Sequence, residues 1–278
     1  MKGNRNILQI DVEDWFMDFD ISTWHQYEDR VVESTDILLK ILREKNVHAT
    51  FFILGYIADL HPELIERIAA DSHEIGSHGY SHRAVTQMTQ DEFKADLSRS
   101  ISVLRKLTGE KIHGYRAPFF TIMDKTAWAI RLLKKEGLEY DSSIFPVKTH
   151  LYGIPDAKLY PYHPSTDDIK ENDPSERFYE FPLAVYRVPG TRYNVPVAGG
   201  FYLRFLPYSF IHHSIKQINR RGYPAICYIH PWELDAGQPR HNALRWYHYY
   251  NLSQTEKRLR KLVTDFRFSS TWDWMQYG

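Results

Sequence analysis

The strongest constraint on this chain is a repeated exchange between two hydrophobic periods. "NILQID" is a short apolar run that ends in an acid, the pattern of a buried strand. "STDILLKILREKNV" then places apolar residues at helical spacing, with Ser34 or Thr35 as N-cap. "HATFFIL" is β-branched and aromatic, and reads as a second strand. "HPELIERIAADS" is a helix with Pro62 in its first turn. "HEIGSH" is a third strand. "TQDEFKADLSRSISVLRKLTG" is the clearest helix, opened by Thr89 and stopped by Gly109. "IHGYRAPFF", "KTAWAIRLLKKEG" and "YDSSIFP" continue the exchange, and "PAICYIH" is the last clear strand. Strands that alternate with helices pair in parallel, so the expected fold class is α/β, a parallel sheet or barrel.

A chain of 278 residues suits one such barrel. From Lys148 to Arg177 the exchange fails, and a long Pro-, Tyr- and Asp-rich loop is expected on the ligand face. After Pro231 come "ALRWYHYYNLSQTEKRLRKLVTDF", helical, and "RFSSTWDWMQYG". The reading is a barrel over residues 1–232 and a packed extension over 233–278. The 35 basic and 35 acidic residues cancel, which gives no support to nucleic-acid binding. The one cysteine, Cys227, excludes a Cys-rich zinc site or an internal disulfide. No apolar stretch has signal-peptide length or spans a bilayer, so a cytoplasmic location is expected.

The chemical residues gather at strand ends. The first strand ends in Asp11, Glu13 and Asp14, and the third in His78 and His82. The fourth carries Arg116, the fifth Asp141 and the last His230. In α/β barrels the C-terminal strand ends open onto one face, where active sites sit. His78 and His82 stand four apart, the one-turn spacing of two-histidine metal motifs. His73 has no such partner and reads as structural. Two imidazoles and a carboxylate make a mononuclear site that suits Zn²⁺, and Co²⁺, Ni²⁺ or Fe²⁺ also fit. A divalent ion there acidifies water and polarises a carbonyl. A second carboxylate then serves as general base and a histidine as general acid, in metal-assisted hydrolysis of an amide or ester.

At these residues the chain resembles the polysaccharide deacetylase superfamily, carbohydrate esterase family four with the NodB homology domain. The resemblance runs from about Ile7 to Trp232. "SHGYSH" resembles the motif that supplies two metal ligands, "YRAPFF" the motif whose arginine positions the base, and "YIHPW" the motif that carries the acid histidine. It implies an irregular (β/α)7-type barrel, one divalent metal and an N-acetylated oligo- or polysaccharide substrate. Most members open with adjacent aspartates. Here "IDVEDW" resembles a branch with acids two apart, so Asp11 maps to the base and Glu13 to the ligand, with Asp14 a competitor. "YDSSIFP" lacks the usual tryptophan, and Asp141 is expected to bond His230 or Arg116. "VAGGFYLRFLP" and the tail resemble a subgroup encoded with bacterial exopolysaccharide genes, in which Arg204 either faces substrate or forms an ion pair. Tyr160, Tyr162 and Trp232 are sugar-stacking candidates near the mouth of the site. Two other activities fit the residues: hydrolysis of a cyclic amide, as in allantoinase-like relatives, and glycan binding without catalysis.

Overall fold

The computed structural model describes residues 5–149 and 152–277. Among them, strands follow in chain order as β1 (Asn6–Val12), β2 (Thr50–Ile53), β3 (Glu74–Ser77), β4 (Gly114–Tyr115), β5 (Tyr140–Asp141), β6 (Tyr179–Glu180), β7 (Val185–Arg187), β8 (Asn194–Pro196), β9 (Ile226–Ile229) and β10 (Phe268–Ser269). Helices separate most of the early strands, as the alternating periods require. The chain divides into two compact units, one of Met1–Phe51, Ala70–Glu74 and Val197–Gly278, the other of Phe52–Ala69 and Ile75–Pro196. The boundary expected at residue 232 falls inside the first unit.

In the first unit β1 is buried along its whole length. Burying each of Ile7, Leu8, Ile10 and Val12 contributes about 1.5–3 kcal/mol. On one side β1 pairs in parallel with β9, Ile7 opposite Ile226 and Ile10 opposite Ile229. On the other it pairs in parallel with β10, Asn6 opposite Phe268. The tail therefore supplies a strand that "RFSSTWDW" did not announce. Thr271 ties this edge down, accepting from the Gln9 amide at 3.0 Å. Helix Thr255–Asp265 buries Leu259, Leu262 and Val263 on one face.

Helix Val31–Lys45 begins earlier than its sequence suggests. Ser34 and Thr35 lie inside it, their hydroxyls bonded back to Arg30 and Val31 carbonyls at 2.8 and 2.6 Å. The cap comes from afar: Asp14 accepts from the Arg30 and Val31 N–H groups at 2.6 and 2.8 Å. His73 is buried against Phe51, and burial pushes its pKa down to about 4.

In the second unit β3, β4, β5 and β6 pair in parallel, with Ser77 opposite Tyr115, Tyr115 opposite Asp141, and Asp141 opposite Glu180. Gly114 lets the Tyr140 ring lie on the backbone; a Cβ there would sit 1.9 Å from Tyr140 Cζ. Helix Gln90–Thr108 has the Thr89/Glu92 capping box and ends at Gly109 with φ 70°. After β5 the chain runs irregularly, pinned by bridges Tyr162–Glu180 and Pro164–Asn172. β7 and β8 form an antiparallel hairpin. No helix among the described residues is long and apolar enough to cross a membrane.

Candidate active site

The parallel register of β1 and β9 sets the first group of residues. Ile10 lies opposite Ile229, so Asp11 and His230 follow at the same level. His230 Nε2 lies 4.0 Å from Asp11 Oδ2 and 3.9 Å from Glu13 Oε2. Both carboxylates are buried. One ligand atom from each of Asp11, Glu13 and His230 falls within 4.8 Å of the others.

The far side of the His230 ring is built by Glu233, which the sequence reading missed, and behind it by Arg204, for which that reading offered an ion pair. A single 3-10 turn, Pro231–Leu234, brings Glu233 back under the imidazole. Glu233 Oε2 faces Nδ1 at 3.0 Å and also accepts the His230 backbone N–H at 3.1 Å. Gly200 makes room for this carboxylate; a Cβ there would lie 1.9 Å from Glu233 Oε2. The other oxygen accepts from Arg204 at 2.7 Å, both side chains being 1% exposed. Arg204 is thus an ion-pair partner. It also donates to the Tyr247, His248 and Tyr250 carbonyls. Burial would push the Glu233 carboxyl up, but His230 and Arg204 outweigh it and hold the pKa near 2. Burial would likewise lower His230; the Glu13 charge, the Glu233 hydrogen bond and Asp11 reverse this and raise it to about 9. The ring is thus set between carboxylates, with Nδ1 toward Glu233 and Nε2 toward Asp11 and Glu13.

Asp14 points elsewhere. Its Oδ1 accepts from Trp15 N at 2.7 Å and its Oδ2 serves the helix cap. Three N–H donors engage the carboxylate, so the ligand competition with Glu13 that the sequence left open is met by a cap.

In the second unit, His78 and His82 lie on the loop after β3 rather than on one turn of helix. Gly79 at φ 76° and His82 at φ 51° turn the backbone left-handed. Asp96, on helix Gln90–Thr108, clamps that loop by accepting from Tyr80 N at 2.7 Å and Ser81 N at 3.1 Å. The two rings stand 5.4 Å apart between centroids. His78 Nδ1 lies 2.8 Å from the Arg116 carbonyl, which can only accept, so Nδ1 is the donor nitrogen and Nε2 is the one available to a ligand. That is the arrangement of a metal-binding histidine, in which the outer nitrogen is held by a carbonyl.

Arg116 is fully buried, donating to the Ser142 carbonyl at 2.8 Å and hydroxyl at 2.9 Å. Asp141 accepts from Ser143 Oγ at 2.6 Å and Ser143 N at 3.2 Å. Its neighbour across the register is Glu180, which accepts from Ile144 N at 3.0 Å and hydrogen-bonds Asp141. Two carboxyls buried side by side are costly to ionise together. Burial raises both, Asp141 to about 6 and Glu180 well above its usual range, with Glu180 as the donor to Asp141. The expected bond from Asp141 to His230 is replaced by Glu233, while the Arg116 charge does act on Asp141.

Of the sugar-stacking candidates, Tyr162 is buried, its hydroxyl donating to the Ile169 carbonyl. Trp232 is stacked on His248 at 4.1 Å and on His230 at 5.2 Å, so it packs against the His230 ring. Tyr160 is part-exposed.

Comparison with known proteins adds to this geometry. Residues 15–140 match the polysaccharide deacetylase family, and residues 142–276 match a domain of unknown function, DUF3473. Among particular relatives, the chain is 34% identical over 99 residues to the peptidoglycan-N-acetylglucosamine deacetylase of Bacillus cereus, covering 35% of this chain and 36% of that protein. It is 30% identical over 176 residues to a peptidoglycan deacetylase-like protein of Gibberella zeae, covering 61% of this chain and 49% of that one. The chain thus spans from a third to a half of these curated relatives. Among solved structures, one from Mycobacterium smegmatis assigned as a polysaccharide deacetylase superposes with a TM-score of 0.64 at 21% identity, over 99% of this chain and 91% of that one. The likeness shows the fold, the irregular (β/α)7-type barrel class.

Proposed function

We propose that this chain is a metal-dependent hydrolase that removes N-acetyl groups from N-acetylated sugars of a glycan. The observation that carries the reading is the buried run from Asp11 and Glu13 through His230 to Glu233 and Arg204. It pairs a carboxylate able to take a proton with an imidazolium able to give one, the requirement of amide hydrolysis.

The donor set fits a divalent ion. We assign Glu13, His78 and His82 to it, most suitably as Zn²⁺, on three grounds: carboxylate and imidazole donors, the carbonyl-held Nδ1 of His78, and the prior engagement of Asp14. When bound, such an ion would acidify a water and polarise the acetamido carbonyl. Asp11 takes the proton from the attacking water. His230 delivers the Nε2 proton to the departing amine, a poor leaving group without it. Glu233 holds the Nδ1 side, which keeps Nε2 turned toward Asp11 and Glu13. Arg116, in the Arg-x-Pro motif, positions the base, and the Asp141–Glu180 pair with Ser142 and Ser143 keeps the Arg116 surroundings fixed. The subgroup resemblance favours an exopolysaccharide or its precursor as the glycan.

Two measurements test this together: metal content of the purified chain, expected at one divalent ion, and acetate release across N-acetylated oligosaccharides. Opening of allantoin-like rings without acetate release selects the cyclic-amide activity. Glycan binding without turnover of either substrate selects a binding module.

A further inference from the structure

The segments that hold Arg204 also present aromatic rings to solvent. Helix Gly200–Phe205 and the turn Trp246–Tyr249, with Tyr250 beside it, carry four exposed rings, and Phe201 lies half-buried among them. Phe201 and Phe205 stack at 5.4 Å and 17°. Tyr247 meets Phe201 edge-on at 6.0 Å, and Tyr250 approaches Phe205 at 5.8 Å. Trp246 stands edge-on to Tyr247 and Tyr250 at 6.0 and 5.8 Å. Phe205, Trp246, Tyr247 and Tyr250 are 50, 64, 46 and 39% exposed. Apolar residues scattered singly over a surface need no explanation, but a linked cluster does.

The backbone beneath the rings is held. The Arg204 guanidinium takes the Tyr247, His248 and Tyr250 carbonyls, and Asn251 Nδ2 donates to the Arg204 carbonyl at 3.2 Å. The same guanidinium holds Glu233, which holds His230. One buried cation ties the exposed rings to the proton donor.

We propose that this cluster is a glycan-binding platform for sugar units that flank the one undergoing reaction. The choice of glycan rests on the deacetylase reading. Pyranose rings present apolar C–H faces, and Trp and Tyr add an N–H and hydroxyls for the sugar oxygens. The exposed parts of four rings come to about 400 Å², half of the roughly 800 Å² per partner that a stable protein interface takes. That area suits a few sugar units. The platform lies in the stretch matched by the domain of unknown function, outside residues 15–140, so it distinguishes this chain from the deacetylase domain alone.

The test is binding, read apart from turnover. Calorimetric titration uses β-1,4-linked N-acetylglucosamine from monomer to hexamer with the Asp11→Asn chain, which does not consume the probe. Affinity is expected to rise with length. Trp246→Ala/Tyr247→Ala in that background is expected to weaken hexamer binding about tenfold while leaving the monomer unchanged. Both side chains are exposed, and an unaltered melting curve checks the fold. Equal hexamer affinity in the double variant, or affinity independent of length, overturns the platform. So does a double variant whose only loss is self-association or adhesion to phosphatidylglycerol vesicles. Length-dependent binding lost in the double variant, in a protein that releases no acetate, supports the platform and sinks the deacetylase reading.

Discussion

Glu233→Gln sets two neighbours against each other. The carboxylate uses both oxygens, Oε2 on His230 at 3.0 Å and Oε1 on Arg204 at 2.7 Å. Glutamine keeps one acceptor and turns the other into a donor. With its oxygen toward His230, its amide faces the Arg204 guanidinium; flipped, the amide faces the imidazole N–H. Either way two donors meet and a buried cation loses its counter-charge. Removing one partner of a buried ion pair costs about 3–5 kcal/mol. For a chain of this size that lowers Tm by about 6–20 °C. The proton donor suffers too, because part of the field that raises His230 to about 9 is gone. General acid catalysis contributes about 10²–10⁴-fold, which bounds the loss of kcat on an N-acetyl amide. A matched O-acetyl ester is expected to lose less, since an alkoxide needs less proton help to leave. The assays are thermal unfolding and acetate release from both substrates. A variant that melts within about 1 °C of wild type and keeps its kcat refutes the role given to Glu233.

Asp11→Asn is expected to keep metal and lose turnover, checked by metal analysis beside acetate release. Glu13→Ala and His78→Ala are expected to lose metal, while Asp14→Ala keeps it and instead loses about 1–2 kcal/mol of stability as the helix at Val31 is uncapped; denaturant titration separates the outcomes. The Asp141–Glu180 pair adds a pH dependence. Asp141 is raised above its unfolded value of 3.8 to about 6, so its contribution to stability is full below about 4 and is lost as pH rises through 6. Glu180→Gln retains a donor to Asp141 while removing the second charge, and is expected to flatten that decline in melting curves taken from pH 4 to 8.

Residues whose roles are set locally could be read in advance. Thr89 caps the helix that its Glu92 box announces, and the strand runs around Ile7 and Ile226 sit where their apolar character put them. Asp11 and His230 were found because they close apolar strands. Other roles depend on distant partners. Asp14 became a cap because Arg30 and Val31 arrive 16 and 17 residues later. Glu233 looked like an ordinary acid in a turn, and only the turn's curl under His230, with the space at Gly200, makes it a partner. Its spacing, three after the histidine, is the capping-box signal that was available. Glu180 gained its meaning from cross-strand register with Asp141 in strands of two residues, too short for periodicity to register. Tyr162 failed as a sugar contact because aromatic content does not reveal which face is buried.

The central claim is hydrolysis of an N-acetyl amide, and product analysis tests it most directly. The metal-loaded chain, incubated with an N-acetylated oligosaccharide, is predicted to release acetate and free amine in equal amounts by mass spectrometry. The Asp11→Asn chain, holding the same metal, is predicted to release neither. Acetate without a new amine, or equal release by both proteins, contradicts the account.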